Sequence, residues 1–368
     1  MSTRGQQCAA DSSAGSLLTR RTALGYLAGG VGLFSELKSG VAEAQTVGSS
    51  RFGPPPAKNG IISIGGVNIY YEEQGQGIPI VLSPPGLSGA ETTRPGAAKL
   101  ATKYRVISWD RPNTPGRSDI EIKGPTDVDL WADQLYELLA RLNARPAYFA
   151  GGSMGLRTNF AFALRYPDIV RGLFIYSPSS NYLWNDLPVR YWANHADVAD
   201  KAGMQAVAAT PYWAEVIAKN PRNRERLLKT DPREFSRVMR RWTNAYKESD
   251  VTLKMTEGDA RRHDASGIPT RILAGCDFDK AHPREATELV RKVMPHAEYI
   301  EAPTFCGEFE QANENARAYA IKHKQDDRGN PVTTDRPYVV PYFEMPSLLA
   351  SIDDFVMKTE AKMKVGGR

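Results

Sequence analysis

The sequence predicts an α/β fold built on a mostly parallel twisted sheet with helices on both faces. Short apolar segments of strand length alternate with segments whose apolar residues recur at helical spacing, over residues 61–180 and again over 267–368. A mainly helical stretch, residues 181–266, interrupts this alternation and predicts a helical lid. With 368 residues, the chain is long enough for a sizeable core.

The first 44 residues have the features of an export signal. Arg20-Arg21 precede a mild, Gly-containing apolar run from Ala23 to Phe34, and Ala42-Glu43-Ala44 places small residues where a signal peptidase cleaves. The segment resembles a twin-arginine signal, so we expect a periplasmic or secreted protein that lacks residues 1–44. Residues 45–60, rich in Ser, Gly and Pro, predict a linker.

The elements of the predicted core follow from local patterns. Leu130, Trp131, Leu135 and Leu138 lie at helical spacing, for example, and predict an amphipathic helix. In chain order the patterns predict a hairpin over 61–72 that turns at Gly65-Gly66, strands at 79–82 and 104–109, a helix at 128–142, a strand at 147–150, a helix at 156–165, a strand at 170–176, and, after the lid, a strand at 270–274, a helix at 285–293, a strand at 298–300 and a helix at 348–363. Residues 308–346 are polar and predicted to be irregular, apart from a helical stretch around His323.

The segment Gly151-Gly152-Ser153-Met154-Gly155 fits the G-x-S-x-G pattern of a nucleophile elbow. An apolar strand precedes it and a helix follows, and small residues are needed because the chain turns sharply between the two. Such a turn holds the serine in a strained conformation with its hydroxyl above the sheet edge. The pattern predicts that Ser153 is a nucleophile.

A serine that attacks a carbonyl creates an oxyanion, which two backbone N–H groups must stabilise. The N–H of Met154, directly after the serine, is one candidate. The second should come from the turn after the strand at 79–82, where Pro84 and Pro85 have no N–H and Gly86 permits an unusual turn. We therefore expect Leu87 to be the second donor.

Together these segments resemble the α/β-hydrolase superfamily. Leu82-Ser83-Pro84-Pro85-Gly86 is similar to its oxyanion loop, with Pro85 in place of the usual histidine. Asp110 to Asp119 resembles the family's Asp-x-Arg-Gly-x-Gly-x-Ser segment, and residues 181–266 resemble the lid that many members insert. The resemblance implies a serine hydrolase, because the family's dehalogenases and epoxide hydrolases carry Asp at the elbow.

The resemblance also implies an acid and a base for Ser153. The acid should follow the penultimate strand, and Asp279 fits the family's acid loop better than Asp277 does. The family's base is a histidine in a Gly-His pair after the last strand, where this sequence has Gly307-Glu308. His323 keeps the family's chain order and is the expected base, with Glu308 as the rival.

The remaining candidate residues concern the lid and the cysteines. His195, near Trp192 in the lid, is expected to be a substrate contact or a core residue rather than the base. The family's strand order places Cys276 and Cys306 just past adjacent strand ends, where a disulfide could form in an oxidising compartment; two buried thiols are the alternative.

Composition narrows the partners. The net charge is +5, but basic and acidic residues are interspersed, which argues against nucleic-acid binding. No apolar run is long enough to span a bilayer, and no metal-ligand cluster or phosphate-binding loop implies a cofactor. The aromatic lid favours a small substrate with apolar or ring character.

Three functions fit this sequence. The first is hydrolysis of an ester- or lactone-like carbonyl through an acyl-enzyme. Carbon–carbon bond hydrolysis or perhydrolysis on the same fold is the second. The third is a ligand-binding protein on a decayed hydrolase scaffold, which the missing Gly-His pair would explain.

Overall fold

The computed structural model describes residues 52–180, 183, 187–252, 254–323 and 342–366. The predicted signal and residues 45–51 of the predicted linker lie outside these residues. One eight-stranded sheet has the strand order β1-β2-β4-β3-β5-β6-β7-β8. Its strands are β1 Lys58–Ile64, β2 Val67–Gln74, β3 Pro79–Ser83, β4 Arg105–Trp109, β5 Ala147–Gly152, β6 Val170–Tyr176, β7 Thr270–Leu273 and β8 Glu298–Ile300. From β4 through β3 to β8 the strands are parallel, as the sequence predicts.

Strands β1 and β2 form the predicted hairpin, and both glycines of its Gly65-Gly66 turn have positive φ. β1 begins at Lys58, so the predicted linker, residues 45–60, is too long at its C-terminal end. Lys58 pairs with Glu73 in register, and its Nζ lies 2.5 Å from Glu73 Oε1. The polar residue Lys58 belongs to β1 because of this ion pair with β2. A strand prediction from alternating hydrophobic residues does not detect such a residue.

Helices cover both faces of the sheet. The helices are α1 Arg94–Leu100, α2 Asp127–Arg141, α3 Met154–Arg165, α4 Asn194–Ala209, α5 Pro211–Lys219, α6 Arg222–Leu228, α7 Pro232–Lys247, α8 Glu257–Asp264, α9 Arg284–Val293, α10 Pro303–His323 and α11 Pro346–Gly366. Apolar residues of α2, α3, α8 and α9 pack in one core cluster with the sheet, and those of α1, α10 and α11 pack in a second. The predicted layered architecture is confirmed.

The stretch predicted to form a lid begins with a π-helical turn, Val189–Ala193, and continues with α4 to α7. Its apolar residues form a cluster that also includes Ile120 and, from α2, Leu130. Helix α8, which the sequence places in the lid, belongs to the main core instead: Ala260 is buried in the same cluster as α2 and α3, and His263 Nε2 lies 2.9 Å from Thr270 Oγ1 of β7. The predicted lid end at residue 266 is therefore too late. Most residues of α8 are polar, so the sequence does not reveal that Ala260 and His263 are buried against the core.

The region after β8 differs from the prediction. Residues 308–323 were expected to be largely irregular, but they continue α10, which begins at Pro303. Phe305 and Phe309, one helical turn apart, are buried in the second core cluster and anchor the helix. Residues 324–341 lie outside the described residues. Within the described part of the chain, no helix is long and apolar enough to cross a membrane.

Candidate active site

Ser153 lies at the sharp turn between β5 and α3. Its φ of 52° and ψ of −119° are a strained conformation for a residue with a Cβ. The backbone N–H of Ser153 donates to Ser177 O at 3.0 Å, which ties the turn to the end of β6. The serine is 9% exposed. These are the features that the elbow pattern predicts.

The glycines of the elbow are required by space. A Cβ on Gly152 would lie 2.3 Å from the ring of Tyr176, and one on Gly155 would lie 2.4 Å from Ser83 O. Gly151 is equally confined, because its Cβ would lie 2.7 Å from the carbonyl carbon of Gly155. The close approach of Gly155 to Ser83 brings the start of α3 against the loop that follows β3.

The two expected oxyanion donors lie on either side of this contact. Met154 is the first residue of α3, where a backbone N–H has no partner within the helix. Leu87 follows Gly86, whose φ is +52°, and the carbonyl oxygen of Gly86 accepts a 2.6 Å hydrogen bond from Arg111 Nη2. That bond fixes the peptide that carries the N–H of Leu87. The assignment of both donors stays a prediction.

The acid loop after β7 distinguishes its two aspartates. The side chain of Asp277 is 77% exposed and pairs with Arg284, whereas that of Asp279 is 13% exposed. Burial alone would raise the pKa of Asp279. Hydrogen bonds from the His282 ring and from the backbone N–H groups of Ala281 and His282 outweigh that effect and lower the pKa. Asp279 is therefore the ionised, partly enclosed carboxylate of this loop.

His282 is a functional candidate that the sequence reading passed over. Its Nδ1 lies 3.0 Å from Asp279 Oδ2, and its Nε2 is buried without a hydrogen-bond partner among the described residues. A carboxylate on Nδ1 favours the tautomer in which Nε2 accepts a proton. The spacing Asp-x-x-His was visible in the sequence, but the histidine was expected after the last strand.

Tyr342 connects this pair to the elbow. Its hydroxyl lies 3.4 Å from His282 Nδ1, and its side chain also bonds to Ser177, the residue whose carbonyl binds the N–H of Ser153. Ser180 adds a second link, because its N–H and hydroxyl donate to the carbonyls of Ala281 and Lys280 at 2.9 Å each. The segment after β6 thus joins the elbow to the acid loop.

The structure describes the side chain of only one of the two expected bases, Glu308. His323 is the last residue of α10, and its side chain lies outside the described residues, so its role stays a prediction. Glu308 points from α10 to the start of α11, where its Oε2 accepts from the Ser347 N–H at 3.1 Å and the Ser347 hydroxyl at 2.5 Å. Glu308 therefore caps a helix, which is a structural role.

Cys276 and Cys306 form a disulfide with a Cα–Cα distance of 5.4 Å. Cys276 lies in the acid loop, and Cys306 lies in the first turn of α10. The bond that the family's strand order suggested therefore joins these two elements.

Behind the elbow lies a buried group of charged side chains. Arg111 and Arg157 are both buried, as is the carboxyl of Asp127. Tyr246 of α7 donates to Asp127 Oδ2 at 2.6 Å, so the group reaches from the core to the lid. Burial raises the pKa of Asp127 to about 6, although the bonds from Tyr246 and the Val128 N–H and the charge of Arg157 oppose the rise.

The aromatic residues of the lid pack against one another. Trp192, Trp213 and Trp242 are fully buried in the lid cluster. The ring of His195 lies 5.3 Å from that of Tyr212 and 5.9 Å from that of Trp213, and burial lowers its pKa to about 4. His195 is a neutral core residue. These tryptophans form the core of the lid and give no support to an aromatic substrate.

No group of His, Cys, Asp and Glu within the described ranges could hold a metal ion. An open groove of about 790 Å³ lies on the surface of α9 and β8, lined by Arg284, Leu289 and Tyr299 among others. None of the elbow, oxyanion or acid residues lines it. The chemistry-bearing residues therefore define the candidate site, and this groove does not.

Comparisons with known proteins agree with this architecture. A family model described as alpha/beta hydrolase fold matches residues 79–203, which include β3 and the elbow. A solved structure of a candidate lipase (lip1) from Acinetobacter baumannii AYE has a TM-score of 0.51 and 15% sequence identity, over 83% of this chain and 92% of that one. The chain has the α/β-hydrolase fold. The predicted fold class is confirmed.

Proteins that are similar in sequence to this chain are named as hydrolases. The uncharacterized hydrolase YraK of Bacillus subtilis strain 168 is 31% identical over 122 residues, which are 33% of this chain and 44% of YraK. Serine hydrolase BPHL of Homo sapiens is 24% identical over 305 residues, which are 77% of this chain and 94% of BPHL. The chain thus spans less than half the length of YraK and nearly all of BPHL.

Proposed function

We propose that this protein is an exported serine hydrolase that cleaves a small ester- or lactone-like carbonyl substrate through an acyl-enzyme on Ser153. The conformation of Ser153 is the main support for this proposal. Ser153 lies at a turn from a buried strand into a helix and has a positive φ, which is strained for a serine. Such strain is typical of a turn that presents a reactive hydroxyl. The similarity to a protein named serine hydrolase over most of its length also supports the proposal.

The proposed base is His282, because it completes an acid–imidazole pair with Asp279. Asp279 accepts a hydrogen bond from the Nδ1–H and holds the ring. Nε2, which has no hydrogen-bond partner among the described residues, takes the proton of Ser153 as the hydroxyl attacks the carbonyl. The Leu87 and Met154 N–H groups receive the oxyanion. Protonated His282 then protonates the leaving group, and a water molecule that Nε2 deprotonates releases the acyl group from Ser153.

Labelling with a fluorophosphonate probe tests the nucleophile. We expect the wild-type protein to be labelled, the Ser153→Ala variant not to be, and the control Ser236→Ala, a buried serine of α7, to be labelled like the wild type. Thermal unfolding verifies that each variant is folded. A folded wild-type protein without labelling would indicate a binding protein on a hydrolase scaffold, and labelling of Ser153→Ala would place the nucleophile elsewhere.

Three variants separate the candidate bases. We expect His282→Ala to lower kcat/KM for 4-nitrophenyl esters by at least about 10³-fold, because loss of a triad member costs about 10⁴-fold or more in kcat. Added imidazole should restore part of this activity. The control is His296→Ala, because His296 is an exposed histidine outside the site. A loss of this size in His323→Ala or Glu308→Gln, with an active His282→Ala, would transfer the role to that residue.

Export is the remaining part of the proposal. The twin-arginine-like segment at residues 19–24 supports it. The disulfide between Cys276 and Cys306 also supports it, because such bonds persist in oxidising compartments. Fractionation of cells that express the full chain should find the protein outside the cytoplasm, and Arg20→Lys/Arg21→Lys should retain it inside.

A further inference from the structure

Two arginines are buried beside the elbow without a bonded counter-charge. Arg111 is fully buried, and Arg157 is 3% exposed. The hydrogen bonds that they make within the described residues go to neutral acceptors: Arg111 binds Gly86 O, Ser88 O and Thr158 Oγ1, and Arg157 Nε donates to Ser153 O at 3.4 Å. Arg111 Nε and Arg157 Nη1 are buried and have no partner there.

The neighbouring carboxyl does not neutralise this pair. Asp127 binds the Tyr246 hydroxyl and the Val128 N–H rather than either guanidinium. Even when Asp127 is ionised, one negative charge faces two positive ones. Burial and the charge of Arg157 lower the pKa of Arg111 to about 10, so Arg111 is still a cation at neutral pH.

The Arg111 guanidinium lies 4.9 Å from the centre of the Trp131 ring, and that of Arg157 lies 5.7 Å from the centre of the Tyr246 ring, but these rings supply no counter-charge. A buried cation without a counter-ion is costly, because neutral contacts only partly replace its hydration. Such an arrangement is expected where a ligand supplies the missing charge. The position of the pair fits this role. Arg157 lies one helical turn after Ser153 and contacts its carbonyl, and Arg111 holds the peptide before Leu87. An anion bound here would lie next to the expected oxyanion site.

We propose that Arg157 binds a carboxylate of the substrate, with Arg111 adding positive charge and positioning the oxyanion loop. The inference deepens the proposed function, on which it rests, and names the substrate class: a small ester or lactone that carries a carboxylate near the scissile carbonyl. Residues from the predicted lid contact the surroundings of the pair: Tyr246 donates to Asp127, and Tyr212 donates to the backbone carbonyl of Asn113, two residues after Arg111.

Matched esters test the preference. The wild-type enzyme is expected to hydrolyse mono-4-nitrophenyl glutarate with a higher kcat/KM than 4-nitrophenyl butyrate. Arg157→Gln should lower kcat/KM for the glutarate ester about 30-fold more than kcat/KM for the butyrate ester, because it removes a buried charge pair that only the glutarate ester makes. The control is Arg237→Gln, an exposed arginine of α7, which should leave both values unchanged.

Stability gives an independent measurement. Removal of an unpaired buried cation should raise or preserve the melting temperature, so Arg157→Gln is expected to melt no lower than the wild type. A lower melting temperature would indicate a structural arginine and contradict the proposal. Glutarate should raise the melting temperature of Ser153→Ala and leave that of Ser153→Ala/Arg157→Gln unchanged.

The two proposals fail in different ways. A protein that hydrolyses neither ester but is stabilised by glutarate through Arg157 would refute the hydrolase and retain the anion site. An active enzyme that prefers the butyrate ester and is not stabilised by glutarate would refute the anion site and retain the hydrolase.

Discussion

Replacement of Asp127 by Asn tests the electrostatics behind the elbow. Asp127 is fully buried at the start of α2, and burial raises the pKa of its carboxyl from the ordinary value of 3.8 to about 6. The folded state therefore holds a proton on Asp127 at pH values where the unfolded chain has lost it. This contribution to stability is complete below pH 3.8 and is lost as the pH rises through 6.

The size of the effect follows from the difference between the two pKa values. About two pKa units at 1.36 kcal/mol each give about 3 kcal/mol. Asn does not titrate, so the free energy of unfolding of Asp127→Asn minus that of the wild type should rise by about 3 kcal/mol between pH 4 and pH 7. Tyr246 and the Val128 N–H bind different oxygens of Asp127, and Asn replaces one of these oxygens by an NH₂ group, which adds an offset that does not depend on pH.

Urea unfolding at half-unit pH intervals measures this difference, and titrations shared by both proteins cancel. The change of this free-energy difference with pH tests the pKa of Asp127, whereas its constant part does not. A difference that stays constant from pH 4 to pH 7 would refute the reasoning, because Asp127 would then titrate as in the unfolded chain. A difference that falls with pH would show that Arg111 and Arg157 dominate over burial.

Two further predictions concern the elbow and the disulfide. Gly152→Ala should lower the melting temperature and abolish probe labelling, because its Cβ would meet the ring of Tyr176. The control Gly258→Ala should change neither, because its Cβ would meet only Thr256 Oγ1, at an ordinary contact distance of 3.9 Å. Normal labelling of Gly152→Ala would contradict the elbow geometry. Cys276→Ala/Cys306→Ala frees a cross-link between residues 30 apart and should lower the free energy of unfolding by about 4 kcal/mol in non-reducing urea titrations, and equal stability with the wild type would refute this.

The sequence predicted the parts of the fold that depend on local pattern. The strand, elbow and helix around Ser153 were placed almost to the residue, because buried parallel strands are short apolar runs and the turn between them requires glycine. Helix α8 was assigned to the lid because its residues are mostly charged. Only the packing of Ala260 and His263 against the core reveals its position, and such long-range contacts leave no periodic signal.

The base could not be placed from the sequence for a different physical reason. The family resemblance implies a histidine on the loop after the last strand. Here β8 ends at Ile300 and α10 begins at Pro303, so the connection is too short to hold such a catalytic loop. The disulfide from Cys306 fixes the start of α10 to the acid loop instead.

Aromatic side chains of α10 then complete the surroundings of the acid loop. The ring of Phe309 stacks on that of Tyr342 with centroids 5.0 Å apart, and the hydroxyl of Tyr342 lies beside His282 Nδ1. Helix α10, which occupies the place of the family's base loop, thus packs against Tyr342, the neighbour of the His282 ring. In the proposed mechanism, an acid and a base three residues apart replace two separate loops, because only their position relative to Ser153 matters for proton transfer.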